Sequence, residues 1–209
     1  MKLNKELLEQ FRKTGSKILA VTKYHDKQTT EKIIENLEKS YPEILEWIWE
    51  NRIEILKEKE INREKLHFIW NIQSKQIKDI IRYCSVVHSL DDMKHLKKIE
   101  NIAWKQWNWI QVFLQINVDK TKPWWIDIEK IPEFLDVIWE MENVSLIWFS
   151  CIWKSECTKQ EKEAEFDLLI NLRNKYLQNW FVSAWTSRDY EIALEKWVDI
   201  IRVGTKLYK

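Results

Sequence analysis

The sequence predicts an α/β fold, a single (β/α)8 TIM barrel, on three observations. Short apolar runs typical of buried strands alternate with amphipathic segments typical of helices along the whole chain. There are eight candidate strands, and eight is the number of units that closes such a barrel. The length of 209 residues lies near the lower size limit of that fold, and it is short for two full domains.

The candidate elements follow one another in a regular order. Residues 3–13 have helical spacing, 17–22 form the first strand, and 28–39 form a helix with one apolar face. The other candidate strands lie near 44–48, 66–69, 84–87, 110–116, 144–149, 180–184 and 198–203, and helices are expected near 51–59, 74–82, 91–100, 127–140, 160–177 and 188–196. This alternation implies parallel strands joined by crossover helices. An open doubly wound sheet is the alternative. No linker divides the chain, so 1–209 is predicted to be one domain.

Charge and hydropathy exclude several classes of function. The chain has 34 Lys+Arg and 33 Asp+Glu without a long block of either sign, which argues against nucleic-acid or polybasic membrane binding. No apolar stretch approaches the roughly 20 residues that cross a bilayer, and no secretory leader is expected. Three cysteines form no CxxC pair, so we expect a reducing cytoplasmic location and no metal site.

The aromatic and glycine content is abnormal. The chain has 14 Trp and only 2 Gly, whereas glycine normally makes up about 7% of residues. Tight turns, helix C-termini and phosphate loops need a residue that tolerates positive φ, and Trp is poorly suited to those positions.

Polar residues gather where the predicted strands end, which is where the chemistry of a β/α barrel sits. Lys23 follows four apolar residues of the first strand. Partial burial there favours the neutral amine, which attacks an aldehyde to form a Schiff base. A surface lysine with a buried stem is the alternative.

The last two βα segments suggest a phosphate site. The late loops of a barrel commonly bind phosphate through backbone N–H groups and a helix N-terminus. Ser187 precedes a predicted helix near residue 188, and Gly204 and Thr205 follow the last strand. An ordinary serine cap on that helix is the alternative explanation for Ser187.

Seven motifs in chain order resemble those of the pyridoxal 5′-phosphate (PLP) homeostasis proteins, the YggS/PROSC family, whose barrel is of the alanine racemase N-terminal-domain type. AVTK at 20–23 resembles the AVSK lysine strand, and WENR at 49–52 resembles GENY or GENR. The others are HFIWNIQ at 67–73 for HFIGxLQ, HSLD at 88–91 for HSVD, QIN at 115–117 for QVN, SAWTSRD at 183–189 for SMGMSxD and RVGT at 202–205 for RIGT.

Trp stands at several positions where the family has Gly. Trp49, Trp70 and Trp185 fall within the motifs, Trp197 precedes the last strand, and Trp148 and Trp153 show the same pattern. Our hypothesis is that many of these Trp residues are encoded by UGA codons that the source organism reads as glycine. The organism would be a bacterium with an AT-rich genome. A protein that is truly rich in Trp is the alternative. Two further departures are Thr186 for Met and the loss of the Asn-Lys pair near Lys75.

The resemblance implies a role for each matching residue. Lys23 would hold PLP as a Schiff base, while Ser187, Gly204 and Thr205 would hold its phosphate. Arg202 would face the pyridine nitrogen and keep it unprotonated. Asn51 and His67 would lie near the ring, although a satisfied core histidine is the alternative for His67. No residue is assigned a catalytic role.

The function implied is reversible PLP binding and intracellular PLP homeostasis without robust catalysis. The alternative is an amino-acid racemase of the alanine type; such enzymes carry a further C-terminal domain that we do not expect here. A barrel that binds another phosphorylated ligand is a third possibility. We expect a monomer with PLP and PLP-dependent apoenzymes as partners, and neither nucleic acid nor membrane.

Overall fold

Eight parallel strands form a closed barrel surrounded by helices in the computed structural model, which describes residues 2–118, 125–151, 158–176, 181–185 and 190–208. The strands follow one another in chain order, and the first pairs with the last. They are β1 Lys17–Val21, β2 Leu45–Glu50, β3 Leu66–Phe68, β4 Val86–Leu90, β5 Ile110–Gln115, β6 Val144–Cys151, β7 Phe181–Trp185 and β8 Ile200–Val203. The predicted (β/α)8 barrel is confirmed, and the open sheet is wrong.

The described helices alternate with these strands as the periodicity predicted. They are α1 Lys5–Thr14, α2 Lys27–Ser40, α3 Ile53–Lys59, α4 Ile77–Tyr83, α5 Met93–Lys105, α6 Ile131–Trp139, α7 Lys159–Tyr176 and α8 Tyr190–Glu195. Polar side chains set several of their starts: Asp26 accepts from the Thr29 N–H at 2.7 Å, and Asp92 accepts from the Lys94 N–H at 2.6 Å. Among the described residues, none of the helices has the length and apolar composition that a membrane span requires.

Side chains of each strand alternate between two apolar layers. The larger layer lies between the sheet and the helices and includes Ile18 and Ala20. The smaller layer fills the barrel interior and consists of Leu19, Val21, Trp49, Ile69, Val86, Phe113 and Ile200. Because the period of a strand is two, Lys23 follows Leu19 and Val21, and Arg202 follows Ile200, on the side that faces the interior.

The fourth strand begins and ends later than the apolar run at 84–87 predicted. Cys84 ends α4, and the strand covers Val86–Leu90. Its polar residues His88 and Ser89 are 0% and 4% exposed. The apolar run ended too early because this part of the barrel interior is itself polar.

Trp occupies backbone conformations that favour glycine. Four described non-glycine residues have positive φ, and three of them are Trp47 (φ 150°), Trp107 (φ 54°) and Trp197 (φ 55°). Trp47 lies where the pairing of β1 with β2 shifts register, as at a β-bulge. The other two follow the C-caps of helices.

The helix ends at Trp107 and Trp197 share one hydrogen-bond pattern. After α5, Asn108 N–H donates to the Ala103 carbonyl at 3.0 Å and Trp107 N–H donates to that of Trp104 at 3.2 Å. After α8, the Val198 and Trp197 N–H groups make the same two bonds, at 3.0 and 3.1 Å. This is the Schellman motif, whose left-handed residue is usually glycine. Gly15, with φ 76°, has that left-handed conformation at the end of α1.

Candidate functional site

A cavity of about 330 Å³ opens at the carboxyl ends of β1 and β8. Four of the seven predicted site residues line it: Lys23, Arg202, Gly204 and Thr205. The remaining lining residues are Val21, Tyr24, His25, Trp49 and Tyr208. Pairing of the first strand with the last closes the barrel, and it brings residues from opposite ends of the chain together here.

Lys23 lies two residues beyond the end of β1 and is half-buried. Its Nζ lies 4.9 Å from the ring centroid of Trp49 and 5.0 Å from that of Tyr24. Trp49 is 1% exposed, and its indole N–H donates to the Ile69 carbonyl at 3.1 Å. The amine therefore lies against an indole that occupies part of the barrel mouth.

A buried ion pair supports the backbone just before Lys23. Lys59 and Glu50 have side chains 2% and 0% exposed and form a direct ion pair. The Lys59 ammonium also donates to the Thr22 carbonyl at 2.8 Å, and the Thr22 hydroxyl donates to Glu50 at 2.6 Å. Burial lowers the pKa of Lys59, and the Glu50 carboxylate opposes that shift. These bonds hold the residue that precedes the candidate nucleophile.

Arg202 reaches the cavity from β8 and is 1% exposed. Burial lowers the pKa of its guanidinium to about 10, so the group is still charged at neutral pH. Within the described residues no carboxylate pairs with it, and its Nε and Nη1 have no hydrogen-bond partner. Two nitrogens of this lining residue are thus buried without an acceptor in the described structure.

Two histidines lie behind Arg202 inside the barrel. Arg202 Nη2 lies 3.4 Å from both His88 Nδ1 and Ser183 Oγ, and His88 Nε2 lies 2.8 Å from His67 Nδ1. The His88 ring stacks on Phe113, with centroids 3.8 Å apart. Burial lowers the pKa of His67 to about 3, and it lowers the pKa of His88 as well, so both rings are neutral.

The other predicted site residues do not line the cavity. His67 is 2% exposed, and among the described residues it connects to Arg202 through His88. Asn51 is half-buried just after β2, and its Oδ1 has no hydrogen-bond partner in the described part of the chain. Ser187 lies outside the described residues.

Among the cavity-lining residues that sequence reasoning missed are His25 and Tyr208. Their rings meet edge to face with centroids 5.6 Å apart. Burial raises the pKa of Tyr208, so its hydroxyl is retained. Neither residue belongs to a motif, but Tyr208 follows the last strand closely enough to return to the barrel mouth, where it forms a bridge with Leu3.

These residues fit PLP. An amine, a charged guanidinium with two nitrogens unpartnered in the described structure, and the backbone at Gly204 and Thr205 border one cavity. An aldehyde, an unprotonated ring nitrogen and a phosphate are the complementary groups. When bound, PLP supplies an electrophilic aldehyde and a conjugated ring.

Comparison with known proteins agrees with this geometry. The family described as alanine racemase, N-terminal domain, matches residues 1–209. The chain belongs to this family. The pyridoxal phosphate homeostasis protein of Aquifex aeolicus (strain VF5) is 28% identical over 171 residues, which cover 76% of this chain and 74% of that protein. The resemblance stated from the motifs is therefore confirmed.

Solved structures of this family share the barrel. PipY of Synechococcus elongatus PCC7942, determined with PLP bound, superposes with a TM-score of 0.76 at 18% identity and covers 97% of this chain and 100% of PipY. Alanine racemase of Clostridium difficile 630 superposes with a TM-score of 0.73 at 15% identity, and the match spans 98% of this chain and 56% of the racemase. At these identities the likeness shows the shared fold.

Proposed function

We propose that this protein binds PLP at the barrel mouth, as a Schiff base on Lys23, and serves intracellular PLP homeostasis. The observation that carries the proposal is the meeting of Lys23 with Arg202 in one cavity, where two guanidinium donors are buried without a partner in the described residues. A lysine alone is common at a surface. An uncompensated buried arginine beside it favours a specific ligand with an acceptor.

Each predicted residue has a place in this proposal. Lys23 is the amine that condenses with the aldehyde, and Arg202 donates to the ring nitrogen. Gly204 and Thr205 border the cavity after β8, where the phosphate would lie with Ser187. Asn51 and His67 act from outside the cavity lining. The name of the Aquifex relative and the PLP bound to PipY support PLP as the ligand and homeostasis as the role.

The decisive experiment combines absorbance with chemical trapping. Adding PLP to the purified protein should produce visible absorbance that borohydride abolishes, and peptide mapping should find the reduced adduct on Lys23. Lys23→Ala should lose both signals and keep its far-UV circular dichroism. Lys27→Ala is the matched control, because Lys27 is a neighbouring lysine outside this cavity and is half-buried like Lys23. Persistent absorbance in Lys23→Ala would count against the assignment.

Racemisation is the alternative activity, and the cavity offers a physical argument about it. A two-base mechanism needs a second group opposite the lysine. Burial raises the pKa of Tyr208, which disfavours the phenolate that would serve as that base. Incubation of the loaded protein with L-alanine or D-alanine should therefore leave each enantiomer unchanged over many hours.

The cellular context follows from the same proposal. We propose a monomeric, single-domain, cytoplasmic protein of a bacterium that passes PLP to PLP-dependent apoenzymes, without nucleic-acid or membrane partners. The Cys84 thiol is buried and free, which suits a reducing compartment. Light scattering after size-exclusion chromatography tests the monomer.

We further propose that the organism's own protein carries glycine at many of the Trp positions because its UGA codons are read as glycine. Trp47, Trp107 and Trp197 have positive φ, and the last two hold the glycine position of a Schellman motif. Of the described side chains, Trp107 is 94% exposed and Trp197 is 68% exposed, so neither supports a core. UGA codons at these positions and a correspondingly lower mass of the native protein are expected, while UGG codons would refute the proposal.

A further inference from the structure

Arg202 contacts a row of two buried histidines, and the donor and acceptor in each contact can be deduced. A guanidinium has donors only. The nitrogen of His88 that faces Arg202 Nη2, Nδ1 at 3.4 Å, therefore accepts and carries no proton. In a neutral imidazole the proton then sits on Nε2.

The same reasoning extends one residue further. His88 Nε2–H points to His67 Nδ1 at 2.8 Å, so that nitrogen accepts and His67 carries its proton on Nε2. Both rings are buried, with exposures of 0% for His88 and 2% for His67. A second proton on either ring would place an additional charge near Arg202 in a dry interior. In this arrangement each of the two nitrogen–nitrogen contacts in the row from Arg202 through His88 to His67 pairs one donor with one acceptor.

The His88 ring has little freedom to leave this arrangement. It stacks on Phe113 with an interplanar angle of 14°, and its backbone carbonyl accepts a hydrogen bond from Ser150 Oγ at 2.5 Å. Ser183 Oγ lies 3.4 Å from both His88 Nδ1 and Arg202 Nη2. One edge of the guanidinium is thereby held on the interior side, and its Nε and Nη1 remain without a partner in the described structure.

We infer that His88 is a positioning residue for Arg202, and that His67 sets the tautomer in which His88 can accept. A neutral acceptor orients the guanidinium without neutralising it, whereas a carboxylate in the same place would form an ion pair and take up two donors. The guanidinium then keeps its full positive charge beside the cavity, and its Nε and Nη1 are left without an acceptor among the described residues. This inference rests on the proposed function for its ligand, but the tautomers belong to the protein alone.

The first test needs no PLP. Long-range ¹H–¹⁵N correlation spectra of the ¹⁵N-labelled protein without ligand report which nitrogen of each histidine is protonated. Both His67 and His88 should show an unprotonated Nδ1 and a protonated Nε2 at neutral pH. A proton on Nδ1 of His88 would overturn the inference, whether or not the protein binds PLP.

The second test measures PLP binding. His88→Phe keeps an aromatic ring against Phe113 but removes the acceptor, and it should weaken PLP at least about tenfold, as expected for one hydrogen bond to a charged group. The pH profile of the visible absorbance should shift as well, while borohydride still traps Lys23. His88→Asn restores an acceptor near the Nδ1 position and should recover most of the affinity.

The control is His95→Gln, because His95 lies on α5 and contacts Ser74 rather than the interior. This variant should bind PLP like the original protein. Wild-type affinity in a folded His88→Phe variant would refute the positioning role. Absence of PLP binding in the unaltered protein would instead refute the proposed function, and the NMR spectra would still decide the inference.

Discussion

Replacing Trp107 and Trp197 by glycine should stabilise this protein. Both residues have φ near 55°, a conformation that costs a non-glycine residue roughly 1–2 kcal/mol. Glycine removes that cost but adds about 0.4–1 kcal/mol of unfolded-state entropy. Little packing is lost, because the side chains are 94% and 68% exposed. Each change should therefore raise the free energy of unfolding by about 1 kcal/mol.

The two effects should add, because the residues follow helices α5 and α8, which precede different strands of the barrel. The double variant should gain about 2 kcal/mol, or about 4–8 °C in Tm for a chain of this size. Guanidinium unfolding followed by far-UV circular dichroism is the suitable assay, since Trp fluorescence itself changes in these variants.

Trp104→Gly provides the matched control. Trp104 is 61% exposed and lies in α5, three residues before Trp107. Glycine within a helix is less favourable than Trp, so this variant should lose about 0.5 kcal/mol. If Trp107→Gly and Trp197→Gly destabilise the protein as Trp104→Gly does, the assignment of glycine positions from backbone conformation is refuted.

Three further predictions concern buried charge. Glu50→Gln should cost about 3–5 kcal/mol, because it leaves Lys59 uncompensated, and Glu50→Gln/Lys59→Met should recover most of that loss in denaturant unfolding. Burial raises the pKa of Glu46 from 4.5 to about 7, so the folded state holds this proton more tightly than the unfolded state. The free energy of unfolding should therefore fall as pH rises from about 4.5 to about 7, and Glu46→Gln should remove this pH dependence. Burial lowers the pKa of His67 from 6.5 to about 3, so on acidification the unfolded state takes up this proton before the folded state does. His67 should therefore lower the free energy of unfolding by about 2 kcal/mol at pH 5 relative to pH 7. An unchanged acid slope in His67→Gln would contradict that account.

The barrel and part of its site could be predicted because both follow from periodicity. Alternation along β1 and β8 places Lys23 and Arg202 on the interior side, and closure of eight strands brings them together. The motifs singled out His67 and Asn51, yet neither lines the cavity. Their depth depends on the stagger between neighbouring strands, which a single sequence does not encode locally.

The polar contacts between elements were beyond sequence reasoning for a related reason. Lys59 belongs to a run of alternating charges in the sequence, a pattern typical of a solvated helix face. In the structure, α3 packs so that the Lys59 ammonium is buried against Glu50. Nothing in the sequence around His88 predicts its contacts with His67 and Arg202. Such pairings depend on where helices and neighbouring strands lie in three dimensions.

The buried charges of this barrel are of two kinds, one compensated within the protein and one not. Lys59 and Glu50 compensate each other and hold Thr22, so their desolvation is offset within the protein. Arg202 meets only neutral acceptors among the described residues, and part of its desolvation is left uncompensated. A fold under selection for stability alone would lose nothing by an apolar residue there. The uncompensated desolvation of Arg202 is explained if a ligand that accepts hydrogen bonds offsets it on binding, beside the amine of Lys23.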